Sequence, residues 1–342
     1  MNIGLDIMGG DFAPEQAILG VQMYLQQKQD TSVHLILIGD PEKAAPYISV
    51  IEQFKGKWTL VPSTQEIEME EHPTRALKEK PESSIAIGFG MLMHKKIDAF
   101  ISAGNTGALT AIAHFVLKCL PDVERAPIMS AVPNAQGHTH LLDLGANVRA
   151  TPLQLEQFAV MGAIVARDVH DIPRPRVGLL NIGSEESKGH DLVQEAHARL
   201  RARAASGTGN IFEYRGFVEG QDIFGGEVDV VVTDGFTGNV ALKTMEGVAG
   251  LISGRLRREF TASAGAKLAG LIARPVLRRV SSSLDPRQYN GAVMVGLRRI
   301  VVKSHGSADR VALARAIAIA AIAVRRQLVE HVTLALASGE TH

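Results

Sequence analysis

Four glycine-rich polar loops contain most of the residues that could do chemistry in this chain. They are Asp6–Asp11, Ser102–Gly107, Asn181–Gly189 and Thr233–Asn239. Each loop follows a short apolar run and precedes a helical pattern. Glycine lets backbone N–H groups approach a ligand closely, and a helix N-terminus favours an anion. One such loop is equally consistent with an ordinary strand-to-helix turn, but four together favour a phosphate-sized anion site.

Two lysines and one histidine could act on such an anion. Lys188 lies inside the third loop, whereas Lys303 and His305 belong to a Lys-Ser-His-Gly segment that ends the apolar run 300–302. A lysine can offset the charge of a phosphate or of a developing oxyanion. Lys188 could instead be a solvated residue that pairs with Glu185, and a lone histidine is more often structural.

Other kinds of chemistry have less support. Cys119 lies in the apolar helical stretch 112–120, which is typical of a buried structural thiol. His138 and His140 would share one strand face, as a metal pair might, but that segment has no neighbouring Asp, Glu or Cys. We therefore predict ordinary surface histidines, no metal site and no cofactor. Neither a nucleotide-binding glycine motif nor a nucleophile elbow occurs.

Composition limits the class of protein. The chain has 342 residues, of which 46% are hydrophobic, enough to bury a core of roughly two domains. Its 36 basic and 36 acidic residues cancel, so a chain-wide nucleic-acid-binding surface is not expected. The single cysteine suits a reducing compartment. No apolar run approaches the roughly 20 residues of a membrane span, and no signal peptide pattern begins the chain, so we expect a cytoplasmic protein.

Positive charge is concentrated in residues 251–303. This stretch has eleven Lys and Arg residues and two acidic residues, a net charge of plus nine, which leaves minus nine for the remainder. We predict a protruding helical hairpin over 240–285, with its tip near Gly265 and a kink or restart at Pro275. Its apolar and basic contact residues are Leu268, Leu271, Ile272, Arg274, Arg278 and Arg279. Dimer packing, anionic lipid and an acidic carrier protein are the three candidate partners for this surface.

The order of apolar runs predicts the fold class. Strand candidates are 3–7, 33–38, 99–102, 128–132, 140–144, 177–182, 211–214 and 228–233. Helical patterns separate most of them, beginning after Asp11 and Pro14 and ending with a stripe from Leu313 to Leu328. This alternation is typical of a largely parallel sheet with helices on both faces. We predict one compact α/β unit, 1–342, made of two interleaved subdomains.

The loops in this order resemble those of the bacterial phosphate acyltransferases, the acyl-ACP:phosphate transacylases of phospholipid synthesis. The matching segments are Leu5–Asp11, Ser102–Leu109, Leu142–Asn147, Leu179–Gly183, Lys188–Gly189, Thr233–Val240, Leu242–Gly247, Tyr289–Ala292 and Lys303–Gly306. Any one segment is weak evidence, whereas the ordered set is specific and covers most of the chain. Ser184 stands where the family usually has a glutamate, so no essential role is assigned to it.

The resemblance implies both a fold and a reaction. The fold is a three-layer α/β/α sandwich like that of the isocitrate and isopropylmalate dehydrogenases, and the protein is a homodimer. The reaction transfers a long-chain acyl group from acyl carrier protein to inorganic phosphate. A membrane acyltransferase then uses the acyl phosphate to acylate glycerol 3-phosphate. A location at the inner face of the membrane, near anionic lipid, is compatible with this sequence of reactions.

The loop residues are consistent with that chemistry. Phosphate is already a competent nucleophile near pH 7 and a thiolate leaves readily, so the protein must position phosphate and stabilise the tetrahedral oxyanion. We predict Lys188, Asp234 and His305 as catalytic, with Asp234 or His305 orienting the nucleophile or protonating sulfur. The predicted phosphate- and substrate-binding residues are Asp6, Gly9, Gly10, Ser102, Gly104, Asn105, Thr106, Asn181, Gly235, Asn239 and Lys303.

Two other functions compete with this interpretation. A dehydrogenase that uses NAD and a divalent metal would need clustered aspartates, and Asp6, Asp11, Asp143 and Asp234 are compatible with that requirement. The chain nevertheless lacks a nicotinamide-binding signature. A non-catalytic scaffold on membranes would use the basic hairpin but would leave the four loops unexplained.

Overall fold

A computed structural model describes residues 1–27, 32–68, 71, 73–205, 211–283 and 285–337. These residues form one sheet of eleven strands, in the order β3-β2-β1-β4-β11-β10-β5-β6-β9-β7-β8. The strands are β1 Asn2–Asp6, β2 His34–Gly39, β3 Trp58–Pro62, β4 Ala99–Ser102, β5 Ile128–Asn134, β6 Gly137–Leu142, β7 Arg176–Leu180, β8 Glu213–Val218, β9 Val230–Val232, β10 Ala292–Met294 and β11 Ile300–Lys303.

Helices lie on both sides of this sheet. They are α1 Glu15–Gln27, α2 Pro41–Ile48, α3 Pro73–Glu79, α4 Ser84–Met93, α5 Thr106–Ile112, α6 Pro152–His170, α7 Asp191–Ala205, α8 Gly235–Thr261, α9 Ala264–Ser283, α10 Arg310–Arg325 and α11 Leu328–Ala337. Short 3₁₀ segments occupy Ser49–Phe54, Asp222–Phe224 and Pro286–Tyr289, and a π-helical segment occupies Ala113–Leu117. The predicted α/β class with a mostly parallel sheet is confirmed.

The sheet consists of two parallel groups that run in opposite directions. β3, β2, β1, β4 and β11 are parallel to one another, and so are β6, β9, β7 and β8. Every pairing along the path from β11 through β10 and β5 to β6 is antiparallel. These three reversals make the direction of β6 opposite to that of β11. The carboxyl ends of the two groups therefore do not share one edge of the sheet.

Burial explains why these runs form strands. β9 consists of three valines that are all buried, as expected for a strand covered on both faces. Each of the eight predicted strands overlaps an observed one. Three strands lie outside that set of eight. β3 is an edge strand with partly exposed residues, β10 has only three residues, and β11 contains the apolar run 300–302 that precedes the Lys-Ser-His-Gly segment.

Two helix predictions need correction. The stripe from Leu313 to Leu328 spans two helices rather than one, because Gln327 adopts a left-handed conformation with φ of 52° between α10 and α11. Of the two outcomes predicted at Pro275, a restart is wrong because α9 continues through this residue, and a kink stays a prediction.

α8 and α9 follow each other across residues 262–263, so Gly265 lies in the first turn of α9 and not in the connection. Several large apolar side chains on these two helices are more than half exposed. They include Leu251, Ile252, Leu268, Leu271 and Ile272. Among the described helices, none is long and apolar enough to cross a bilayer.

Gly238 fixes how closely the first turn of α8 approaches the loop after β6. A Cβ atom at this position would lie 1.9 Å from the carbonyl oxygen of Asp143. We expect Gly238→Ala to lower the free energy of unfolding by about 3 kcal/mol or more, because neither backbone segment can move away easily. Denaturant unfolding measures this change.

Gly250→Ala is the matched control on the same helix. A Cβ atom at Gly250 has no neighbour within 4 Å, so alanine should be neutral or stabilise by up to about 1 kcal/mol. Equal effects of the two substitutions would contradict this account of the contact.

Candidate active site

The carboxyl ends of three neighbouring parallel strands place three polar side chains side by side. Asp6 ends β1, Ser102 ends β4 and Lys303 ends β11, with Ser102 and Lys303 paired in register. The Ser102 hydroxyl donates a 2.7 Å hydrogen bond to Oδ2 of Asp6. All three residues are buried. A buried carboxylate and a buried ammonium thus lie in one layer, with a hydroxyl on the strand between them.

Asp6 organises the first loop. Its Oδ1 atom accepts hydrogen bonds from the N–H groups of Met8 at 2.9 Å and Gly9 at 3.1 Å. Burial raises the pKa of Asp6, and the hydrogen bonds from Ser102 and these backbone groups act in the opposite direction. The carboxylate therefore fixes both the conformation of its own loop and its distance from β4.

Lys303 is an almost fully buried cation. Its side chain donates to the carbonyl oxygens of Ala103, at 3.3 Å, and of Ser304. Burial lowers the pKa of Lys303 to about 8, although the charge of Asp6 partly offsets this effect. Lys303 is consequently still mostly protonated at pH 7. It supplies a positive charge in a setting where water screens that charge poorly.

Glycines bring the loops of this layer into contact. A Cβ atom at Gly9 would lie 2.5 Å from the backbone nitrogen of Gly104. Gly10 has a φ of 101°, and a Cβ atom there would lie 2.8 Å from the Gly306 carbonyl oxygen. The same oxygen accepts a 2.8 Å hydrogen bond from the N–H of Asp11. The first loop, the second loop and the Lys-Ser-His-Gly segment therefore meet at one candidate site, and phosphate binding by their residues stays a prediction.

Two of the predicted backbone donors serve the protein itself. The Gly9 N–H is bonded to Asp6, and the Gly104 N–H donates to the Ser102 hydroxyl at 3.0 Å. Asn105 caps α5 by accepting from the Ala108 N–H at 2.9 Å, and Thr106 is exposed. The two glycines therefore provide close packing between the loops more than donors for a ligand.

His305 lies half-exposed beside this layer. Its Nδ1 atom accepts a 3.2 Å hydrogen bond from the Ser307 N–H, so the proton of the neutral ring is on Nε2. Nε2 lies 3.7 Å from a carboxylate oxygen of Glu246. Burial lowers the pKa of His305 from its usual value, which favours the neutral ring near pH 7. The structure thus provides a neutral N–H donor at the edge of the site.

Residues without a predicted role complete this side of the site. Glu246 faces His305 from α8, and Lys243 of the same helix adds positive charge near Lys303 and His305. Asn290 accepts from the His305 N–H at 3.0 Å and donates to the Ser304 hydroxyl at 2.8 Å. Glu246, Lys243 and Asn290 all lie in segments that resemble the family, and no other feature of the sequence pointed to them.

The remaining predicted residues lie at the carboxyl ends of the other parallel group. Asn181 follows β7 and donates a 3.0 Å hydrogen bond to the carbonyl oxygen of Lys188, whose side chain is exposed. Asp234 follows β9 and caps α8, accepting from the Thr237 N–H at 2.9 Å and from its hydroxyl at 2.8 Å.

This second cluster is separated from His305 within one chain. α8 begins at Gly235, whose N–H donates to the Asn147 carbonyl at 2.8 Å, and Asn239 packs near Gly145. Asp234 precedes Glu246 by twelve residues, or about 18 Å along a helix. The reversal of strand direction through β10 and β5 accounts for the separation of the two clusters.

Asp143 is a buried carboxylate that the site prediction did not include. It accepts from the N–H groups of Ile128, Gly145, Ala146 and Asn147 at 2.6–3.2 Å, and from the Asn147 side chain at 2.8 Å. Burial raises the pKa of Asp143, while these donors act against that rise. This carboxylate holds the loop against which α8 begins.

Cys119 and His140 give opposite outcomes for the sequence predictions. Cys119 is buried and burial raises the pKa of its thiol, as predicted for a structural cysteine. The prediction of surface histidines is wrong for His140, which is 1% exposed, while His138 is half-buried. β6 lies between β5 and β9 inside the sheet, so its side chains are covered by neighbouring elements.

The buried charge of Lys303 predicts a pH-dependent stability difference. Between pH 8 and 10.5 the unfolded chain binds more protons at this lysine than the folded chain does. The contribution of Lys303 to the free energy of unfolding of the wild type therefore increases with pH. We expect Lys303→Met to be more stable relative to wild type below pH 8. This advantage should shrink by on the order of 3 kcal/mol toward pH 10.5.

Denaturant unfolding at several pH values measures this difference, and the exposed Lys96→Met controls for the loss of a surface lysine. A Lys303→Met difference that stays constant across the pH range would mean that the ammonium is not buried as described.

Comparisons with known proteins identify the family of this chain. The model of the family described as "Fatty acid synthesis protein" matches residues 1–331. A phosphate acyltransferase from Methylococcus capsulatus is 47% identical over 319 residues, which cover 93% of this chain and 91% of that protein. Another from Alcanivorax borkumensis is 43% identical over 346 residues, covering 100% and 99%.

Solved structures show the same fold at low identity. The EutD phosphotransacetylase from Staphylococcus aureus has a TM-score of 0.60 at 18% identity, covering 95% of this chain and 94% of that one. A branched-chain phosphotransacylase from Enterococcus faecalis has a TM-score of 0.56 at 13% identity, covering 94% and 99%. With relatives this similar over nearly its full length, the chain belongs to the phosphate acyltransferase family and is an acyltransferase.

Proposed function

We propose that this enzyme transfers a long-chain acyl group from the thioester of acyl carrier protein to inorganic phosphate. The acyl phosphate would then serve the acylation of glycerol 3-phosphate in phospholipid synthesis. The observation that carries the proposal is the buried ammonium of Lys303 in one layer with Asp6 and Ser102, beneath glycine-rich loops. Membership in the family supports phosphate as the acceptor.

The reaction balances without a cofactor. An oxygen of HPO₄²⁻ attacks the thioester carbonyl carbon, and the carbonyl oxygen becomes an oxyanion. The C–S bond then breaks, a C–O–P linkage remains, and the proton released by phosphate ends on the thiol of the carrier. Positioning the nucleophile and stabilising the oxyanion are the two tasks left to the protein.

Each task has a candidate group. In this proposal Lys303 attracts phosphate through its buried charge, which Lys243 reinforces from α8. The neutral Nε2–H of His305 donates to the oxyanion or to phosphate, while Glu246 and Ser307 orient the ring. We favour His305 over Asp234 for this role because both carboxylate oxygens of Asp234 already bond to Thr237.

Lys188 keeps a proposed role as a second cation, together with Asn181, Gly235 and Asn239 at the ends of β7 and β9. The exposed ammonium of Lys188 supports a contact with an anionic substrate. In one chain this cluster is separate from Lys303. Cooperation between the two clusters would therefore require the proposed homodimer, or the packing of the two proposed subdomains, to bring them together.

α8 and α9 supply a proposed surface for the acyl donor. Leu256 lies ten residues beyond Glu246 on α8, or about 15 Å away, which is comparable to an extended long acyl chain. The exposed apolar residues Leu268, Leu271 and Ile272 adjoin Arg274 and Arg278 on α9. An apolar surface with a basic margin fits an acidic carrier protein or an anionic lipid surface at the membrane.

Phosphate-dependent thiol release tests the proposed reaction. We expect the purified enzyme to release the carrier thiol from acyl carrier protein thioester only when phosphate is present, with one acyl phosphate formed per thiol. Thiol release that does not depend on phosphate would indicate a hydrolase. Reduction of NAD by a hydroxy acid without thiol release would support the dehydrogenase alternative.

The same assay tests the proposed cations. Lys303→Met should lower kcat/KM for phosphate by about 100- to 1,000-fold, the range for removing one electrostatic stabiliser from a water-poor site. Lys96→Met, an exposed lysine on the chain before β4, should behave as wild type. The role of Lys188 is rejected if Lys188→Ala keeps the wild-type kcat and KM for phosphate.

Charge reversal on α9 tests the proposed donor surface. Replacing Arg274, Arg278 and Arg279 with glutamate should weaken binding to acyl carrier protein or to anionic vesicles at low salt, because it replaces attraction with repulsion. Co-sedimentation and titration calorimetry measure these affinities. Replacing Lys55, Lys95 and Lys96 with glutamate is the control, because it changes the net charge by the same amount. Unchanged binding to both partners would reject this surface and favour dimer packing.

A further inference from the structure

Three histidines that the acyl-transfer proposal does not use meet at a second site. His138 and His140 lie two residues apart on β6 and so point to the same face of the sheet, and His170 is the last residue of α6. One ring nitrogen from each lies within 4.8 Å of the others. They line a cavity of about 40 Å³, whose wall also includes Tyr289 and Arg315.

Hydrogen bonding fixes the orientation of His140. Its Nδ1 atom lies 3.1 Å from the Asp229 carbonyl oxygen, which can only accept, so the proton is on Nδ1 and Nε2 carries a lone pair. His140 is 1% exposed, and its Nε2 atom has no hydrogen-bond partner within the described residues. A metal-ligating histidine commonly has this arrangement, in which a backbone carbonyl holds the other ring nitrogen.

The other two histidines also present ring nitrogens to this cluster. The Nε2 atom of His138 is also buried, and no partner for it is found among residues that the structure describes. Burial lowers the pKa of His140 to about 3 and that of His170 to about 2, so both rings are neutral at pH 7. A neutral imidazole binds a metal without first losing a proton. Buried polar atoms that lack partners destabilise a fold unless something binds them.

We propose that His138, His140 and His170 bind one divalent transition-metal ion, with zinc the expected ion. Three imidazole nitrogens suit zinc, and a tetrahedral ion needs them about 3.4 Å apart, which small shifts of the two less buried rings would achieve. The cavity has room for the ion and about one or two waters. The metal ion and the guanidinium of Arg315 would place two positive charges in the same cavity. We therefore infer that the fourth ligand of the metal is an anion such as hydroxide or chloride.

This site is structural and separate from acyl transfer. His138 lies near the beginning of β6 and His140 in its middle. Because β6 runs opposite to β11, this end of β6 lies at the same edge of the sheet as Lys303, but β10 and β5 lie between the two strands. The ion would join β6 to the end of α6, and the Asp229 carbonyl ties the same cluster to the segment before β9. An ion that binds only the folded chain raises its stability.

Metal titration of the chelator-treated, full-length protein tests the proposal. We expect one zinc or cobalt ion per chain, a higher melting temperature at saturation, and visible cobalt absorption typical of a four- or five-coordinate ion. His138→Ala and His170→Ala should each weaken binding by at least about 100-fold, more than loss of an outer-shell partner causes. His94→Ala and His190→Ala, at exposed positions, should bind as wild type does.

Absence of stoichiometric binding, or equal binding by wild type and by His170→Ala, would overturn the proposal. X-ray absorption of the zinc-loaded wild type gives a test that needs no variant. Three nitrogen neighbours at about 2.0 Å with imidazole scattering would support it, and fewer than three histidines would contradict it.

Discussion

The buried ammonium of Lys303 is the constraint on which the site depends. An isolated charge in the protein interior is strongly disfavoured, so this lysine requires the carbonyl oxygens of Ala103 and Ser304 and the nearby charge of Asp6. The lowered pKa of Lys303 reflects that conflict. A cation that is incompletely satisfied inside the protein interacts strongly with an entering anion, which is what a phosphate-binding enzyme requires.

The layer of Asp6, Ser102 and Lys303 also determines how the surrounding loops pack. Asp6 uses its second oxygen to fold the first loop, and Ser102 links that carboxylate to the second loop. Side chains larger than glycine at positions 9 and 10 would separate the loops that meet there. α8 then reaches the same layer from the other half of the sheet, where its N-terminus is capped by Asp234 and seated against the Asp143 loop. One helix thus connects the two clusters of candidate residues.

Local pattern was sufficient to predict the strands that end in this layer. β1, β4 and β11 are apolar runs that stop at a polar residue, and that boundary is visible in the sequence. The fold class and the glycine-rich loops follow from the same signal. What local pattern could not supply is strand direction in the middle of the sheet, because β10 has only three residues and its antiparallel pairing with β5 is long-range. The sequence therefore predicted one set of loops where the chain has two.

Long-range packing also decides the roles of individual side chains. Glu246 meets His305 only because α8 crosses to that strand end, and His140 is buried only because β6 pairs on both sides. Neither the Glu246–His305 contact nor the burial of His140 can be predicted from the spacing of residues along the chain. The same limit applies to His170, which lies thirty residues from His140 in the sequence and joins it through the end of α6.

Locating the anion directly is the sharpest test of the central claim. Crystals of the enzyme soaked with arsenate, an analogue of phosphate with a strong anomalous signal, would show where the anion binds. We predict a peak at the ends of β1, β4 and β11, beside Gly10, Lys303 and His305. A peak found instead only beside Asn181 and Lys188, at the end of β7, would contradict it.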